Sequence, residues 1–347
     1  MRHAPLLAFA LTFAACGQAP APTTDAPCDP GARACTIAHD FGVTTLAPGQ
    51  EIDGRCVSWT LHNTEPLYVT TVSLDNDGGY HHSNWFYVPE ELYDHPDGEW
   101  PCSSLMFDEV QAALTGGVLY AQSTQSQTGV QRFARGAALR IPPGSRVIAA
   151  THLLNARTSE TRTGLRLTLG TVPAADAKIL LTPIRLGYAD LRIPPQATAE
   201  FAGRCDLRTA FADLRLPGSF QMDLYYVLPH YHQLGSQFLL SVAGGPNDGQ
   251  ELYRLQGGFG EPVGKSFDPP VALDQADGVY FGCSYKNPGQ KQVGWGIGDQ
   301  EMCETLGFVA SPMGFDAWVR KAEAQGPSDG VFRFGGECQV TPFRSIR

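Results

Sequence analysis

The chain has 347 residues, more than one hydrophobic core usually organises, so two domains behind a leader are expected. Charged residues make up only 17%, and a formal net charge of −10 with no Lys/Arg-rich segment excludes a nucleic-acid partner. The 38 Gly and 26 Pro interrupt nearly every apolar run, so short strands joined by turns are expected and the fold class is all-β.

Residues 1–16, MRHAPLLAFALTFAAC, have a basic start, an apolar run of about ten residues and small residues ahead of a cysteine, the layout of a secretory signal. The run is too short to span a bilayer as a mature helix. FAAC followed by Gly17 matches a bacterial lipobox, so Cys16 is expected to be lipidated and to become the mature N-terminus. That places an exported protein in the cell envelope, facing the periplasm or the cell surface, touching the membrane through its lipid only. Residues 17–35, rich in Pro, Ala and Thr, read as a flexible tether. Eight further cysteines behind an export signal imply four disulfides in an oxidising compartment, with 105 pairings open.

From 36 to 174, runs such as CVSWTLHN, LYVTTVSL, SRVIAATHLLN and GLRLTLGTV alternate with turn residues, the pattern of a sandwich or jelly roll. A small, polar break precedes a second domain of the same kind from 178 to 345. One helix is expected near the end, in MGFDAWVRKAEAQG, where Phe315, Trp318, Val319 and Ala322 recur at helical spacing.

The chemistry-bearing residues are histidines. On a strand, His230 and His232 of VLPHYHQLG put both imidazoles on one face, a two-ligand chelate, with Tyr231 facing away. Adjacent His81 and His82 would point to opposite faces of a regular strand, and joint ligation needs a bulge that the preceding DNDGG turn can provide. His152 stands in an apolar run where, alone, it reads as a core residue. Met302, in the polar, glycine-rich GIGDQEMC, is oddly placed for packing, and a thioether with two imidazoles points to copper. His82 and His152 are 70 residues apart, as are His232 and Met302.

These residues resemble the type II copper, ascorbate-dependent monooxygenases, the family of the peptidylglycine α-hydroxylating and dopamine β-monooxygenases, over roughly residues 36–345. The resemblance implies two consecutive antiparallel jelly-roll domains and two copper ions per chain. His81, His82 and His152 would hold an electron-transfer copper, and His230, His232 and Met302 the catalytic, O2-activating one. It further implies ascorbate or another one-electron donor, O2, hydroxylation of a C–H bond in a small-molecule or peptide substrate, and a monomer. Its disulfides would be Cys56–Cys102, Cys283–Cys303 and Cys205–Cys338, leaving Cys28–Cys35. The alternative on the same fold is a non-catalytic periplasmic copper-binding or storage lipoprotein.

The family's substrate anchors are missing. Leu228 stands where a carboxylate-binding arginine would be, and Glu304 and Leu306 replace an Asn and a Tyr, so a peptide C-terminal glycine is not the expected substrate. Glu304 reads as a solvated acid. GGFGEPVGKS is not a phosphate loop, because Phe259 stands at a required glycine. His39, His62 and His95 read as surface or turn residues.

Overall fold

A computed structural model describes residues 33–344 except 216 and 297. Cys16, the signal segment and Cys28 therefore lie outside the described residues. Period-two burial shows why the strands form where they do. Along Thr161–Val172 the side chains of Thr161, Thr163, Leu165, Leu167 and Leu169 are buried, while the residues between them face outward.

The protein is a double jelly roll. In the first sandwich, one sheet runs in the order Cys35–Leu46, Thr161–Val172, Leu67–Asn76, Ala137–Ile141, Ile179–Leu180, with Thr128–Arg132 also beside Leu67–Asn76. The other runs Gly98–Pro101, Glu51–Thr60, Ser145–Leu154, Tyr80–Pro89, Gly117–Ala121. The chain crosses between the sheets at each step from Cys35–Leu46 to Tyr80–Pro89, and again into and out of Ser145–Leu154, which is what rolls the sandwich up. Leu74 and Leu167 of one sheet meet Trp85 and Val147 of the other in a common core.

The second sandwich repeats the scheme. Lys265–Ala272, Asp223–His230, Glu304–Ala310, Thr182–Tyr188, Gly314–Val319 and Gln339–Phe343 form one sheet. Glu251–Gln256, Gly235–Ala243, Gly278–Asn287, Ala197–Asp206, Val331–Glu337 and Glu323–Ser328 form the other. Most ladders are antiparallel, but Thr182–Tyr188 runs parallel to Gly314–Val319, and Ala197–Asp206 parallel to Val331–Glu337.

The helix expected over MGFDAWVRKAEAQG is instead two strands, Gly314–Val319 and Glu323–Ser328. Gly314–Val319 lies inside its sheet with Phe315, Ala317 and Val319 fully buried and Trp318 nearly so. A strand covered on both faces has no alternation to show, and its apolar run mimics helical spacing.

Disulfides join Cys56 to Cys102, Cys205 to Cys338 and Cys283 to Cys303. The two sandwiches share an apolar seam: Tyr225, Tyr226, Leu228 and Phe308 of the second belong to the same buried cluster as the core of the first. Phe133 meets Phe308 and Tyr226 edge-on, at 5.3 and 6.4 Å between ring centroids. Leu228 and Leu306 are direct partners in the ladder at this seam, which is the physical reason for apolar residues there.

Candidate metal centre

The strand Tyr80–Pro89 enters its sheet from a turn in which Gly78 and Gly79 both have positive φ, and its ladder with Ser145–Leu154 slips between Tyr80 and His82. That bulge at His81 breaks the alternation. His81 and His82 can then turn toward one side, and His82 pairs directly with His152 across the ladder. From the other sandwich, Asp223–His230 ends at His230, with His232 just beyond in the connection to Gly235–Ala243.

Five histidines converge. Within the first sandwich the ring centroids of His81, His82 and His152 are 4.9 to 5.4 Å apart. His230 and His232 are 5.1 Å apart. Across the seam, His82 lies 5.5 Å from His230, and His81 lies 5.6 Å from His232.

Four of the rings have a partner outside the cluster: His81 Nδ1 accepts from the Gln125 side-chain amide at 3.4 Å, and the other three donate. His152 Nε2 lies 2.7 Å from a carboxylate oxygen of Glu51, an acceptor, so Nε2 carries the hydrogen and Nδ1 keeps its lone pair. His232 Nδ1 likewise donates to the Gln300 carbonyl at 2.8 Å, leaving Nε2 buried with no hydrogen-bond partner among the described residues. Thr124 Oγ1 has one hydrogen and gives it to the Tyr231 carbonyl at 2.9 Å. It must therefore accept from His230 Nδ1 at 3.1 Å, which frees His230 Nε2. This arrangement, with one ring nitrogen tied to a carboxylate, carbonyl or hydroxyl and the other left with its lone pair, is the support that metal-ligating histidines receive.

For His81, His82, His230 and His232 burial favours the neutral ring. Burial, then the neighbouring imidazoles His152 and His232, brings His81 down to about 4. Burial, then His152, His81 and His232, brings His82 down to about 3. Burial also holds His230 well below the ordinary histidine value, and His232 below it against the opposing pull of the Gln300 carbonyl. Neutral imidazoles are the form that binds a transition metal.

His152 Nδ1 and His82 Nε2 stand 3.2 Å apart. Two nitrogens on one tetrahedral ion at about 2.0–2.1 Å would be separated by about 3.3 Å, so this spacing suits either a hydrogen bond or an edge of a coordination shell. No group of three His, Cys, Asp or Glu side chains among the described residues is yet set so as to hold an ion. The donor types and the unpartnered nitrogen fit a metal, and the rings must still rotate to close around one.

Met302 follows Gln300 and Glu301, which both bond His232. The preceding Glu301 accepts the backbone N–H groups of His232 at 2.8 Å and Leu234 at 2.6 Å, and the Tyr285 hydroxyl donates to the Met302 carbonyl. Burial pushes the Glu301 carboxyl up to about 7, opposed by those backbone donors. Tyr231 is buried in the core of the second sandwich, its hydroxyl on the Gly257 carbonyl.

Glu304, read from sequence as a solvated acid, is only partly exposed and pairs with His230 in the ladder. Burial raises it to about 7, the Arg185 guanidinium opposing and Glu109 adding to the rise. His39 packs on Phe41 and Trp59, His95 stacks on Trp100, and His62 occupies a positive-φ turn, all outside the cluster. Sequence reasoning missed Glu51, Thr124 and Gln300, which carry no motif, while Glu301 was visible only as a neighbour of Met302.

No protein-family model matches the chain, and no curated protein does. Among solved structures it is similar to the major capsid protein P2 from bacteriophage PM2, with a TM-score of 0.30 and 10% identity over 78% of this chain and 98% of that one. It is also similar to the STIV MCP, with a TM-score of 0.30 and 9% identity over 80% and 96% of the two chains. PBCV-1 VP54 follows at a TM-score of 0.26 and 8% identity, over 79% and 93%. Likeness this distant is one of architecture, and no role follows from it.

These findings correct the family expectation. Neither sequence comparison links the chain to the copper monooxygenases, and no three-ligand set is preformed among the described residues. Membership of that family, hydroxylation of a substrate, the assignment as an oxidoreductase and the copper-storage alternative are all without support. Of the associated descriptors, the jelly roll and the disulfides stand.

Proposed function

We propose that the five-histidine cluster is a transition-metal site. The observation that carries this is the set of three imidazoles, His152, His230 and His232, each tied at one ring nitrogen by an outside acceptor, with His152 Nδ1 turned to His82 Nε2 inside the cluster and His232 Nε2 buried and unpartnered. A buried polar atom without a partner is costly, and an ion would satisfy it. Copper is the expected metal, because imidazole sites bind it most tightly among the divalent first-row ions and the thioether of Met302 suits Cu(I).

The reading extends to an exported monomer held at the cell envelope by a lipid on Cys16, with coordination positions left for a small-molecule or peptide ligand. Ascorbate and O2 enter as the means of cycling a bound copper.

The test is titration of the purified, metal-free protein with Cu(II) and, separately, Zn(II), read by equilibrium dialysis. Stoichiometric copper, one or two ions per chain at saturation, supports the proposal, and Met302→Ala should weaken retention after ascorbate reduction. Bound Cu(II) should give an electron paramagnetic resonance signal that ascorbate removes and air restores. Zinc bound in preference to copper, or no metal bound at all, would sink it.

A further inference from the structure

Sequence spacing sorts the histidines into one set per sandwich, but their positions do not. His82 is as close to His230 of the other sandwich, 5.5 Å between ring centroids, as it is to its own neighbour His81 at 5.4 Å. His81 is 4.9 Å from His152 and 5.6 Å from His232. Rings on one tetrahedral ion, with nitrogens at about 2.0–2.1 Å, would have centroids about 5 Å apart. Two contacts across the seam, His82–His230 and His81–His232, come close to that spacing, while His82 and His232 are 6.5 Å apart.

The surrounding structure holds the two sets together. Adjacent residues of one loop of the first sandwich serve both: Thr124 bonds His230 and the Tyr231 carbonyl, while the Gln125 backbone N–H donates to the His81 carbonyl at 2.6 Å. In the same stretch, Ser123 Oγ accepts the Val263 N–H at 3.1 Å, and the Gly260 N–H donates to the Thr124 carbonyl at 3.0 Å. Below the cluster the seam is packed by Phe133, Tyr226 and Phe308. The sandwiches cannot part to give each set its own environment without opening an apolar core.

We infer that the five histidines form one metal centre shared across the seam, not two separate sites. This rests on the metal-binding reading above and adds that the ligands of one sandwich act on whatever the other holds. Two ions loaded here are electronically coupled, and a single ion takes ligands from both sides. Either way the bound metal is a cross-link between the two jelly rolls, and its affinity reports their contact.

The experiment loads the full-length mature protein with Cu(II) to saturation and compares copper content with the integrated spin signal. Two coppers per chain with fewer spins than ions support a shared, coupled centre. With one copper per chain, support requires that His152→Ala in the first sandwich and His232→Ala in the second each weaken the same ion, by at least about tenfold. Circular dichroism checks that both variants fold. If either does not, Glu51→Gln and Thr124→Val, which act on His152 and His230 from outside, should each shift the spectrum of all the bound copper. Two coppers with full spin count, each variant deleting one and leaving the other's spectrum unchanged, overturn the shared centre while leaving metal binding intact. Absence of copper overturns both readings at once.

Discussion

At the scale of residues, the cluster is an arrangement for keeping imidazoles neutral. Burial and mutual repulsion bring His81 to about 4 and His82 to about 3, and hold His230 and His232 below their ordinary value. In the unfolded chain each would titrate near 6.5. Below that pH the unfolded state binds more protons than the folded one, so the stabilisation is complete above pH 6.5 and is lost as pH falls toward the folded values. The slope is on the order of 1.4 kcal/mol per pH unit for each such histidine. Metal-free protein should therefore show a steep fall in its denaturation midpoint between pH 6.5 and pH 5. A midpoint that stays level over that interval would mean that the rings are hydrated and the cluster is open.

At the scale of elements, the bulge at His81 depends on the turn ahead of it. Gly79 has φ +88°, and a Cβ there would come within 3.0 Å of Leu46 Cδ1, while its carbonyl accepts the Leu154 N–H at 2.8 Å to anchor the neighbouring strand. Gly79→Ala should cost about 1–2 kcal/mol, the left-handed penalty of an L-residue, and should lower copper affinity with it, measured by denaturant melts and competitive titration. Loss of stability with unchanged affinity would show that the bulge does not position the histidines.

The DNDGG turn and the need for a bulge were legible in the sequence, because adjacent residues on a strand diverge by rule. The period-two strands were legible for the same reason. Gly314–Val319 was not, since a strand buried on both sides loses its alternation. The hydrogen-bond partners Glu51 and Thr124 were invisible because they reach the cluster through tertiary contacts, His152 from Glu51 over 101 residues and His230 from Thr124 over 106. The spacing of 70 residues was real as a pattern, but it led to a two-site family assignment. Spacing along a chain says nothing about distance across a seam.

At the scale of the molecule, the seam decides how metal and fold depend on each other. Phe308 is fully buried at the junction, partnered in the ladder by Pro183 and Tyr226 and touched edge-on by Phe133 of the other sandwich. Truncating such a side chain removes both its transfer free energy and the packing around it, so Phe308→Ala should destabilise by about 3–5 kcal/mol. Because the apolar cluster is continuous across the junction, the two jelly rolls should unfold in one transition, and the variant should separate that transition into two. Copper at about 100 times its Kd adds about 2.7 kcal/mol to the folded state by mass action. If the histidines act as one centre across the seam, that increment should shrink in Phe308→Ala, because the ligand sets no longer meet in register. Calorimetry of wild type and variant, each with and without copper, measures the coupling directly. An undiminished copper increment in the variant would show that each sandwich holds its metal alone.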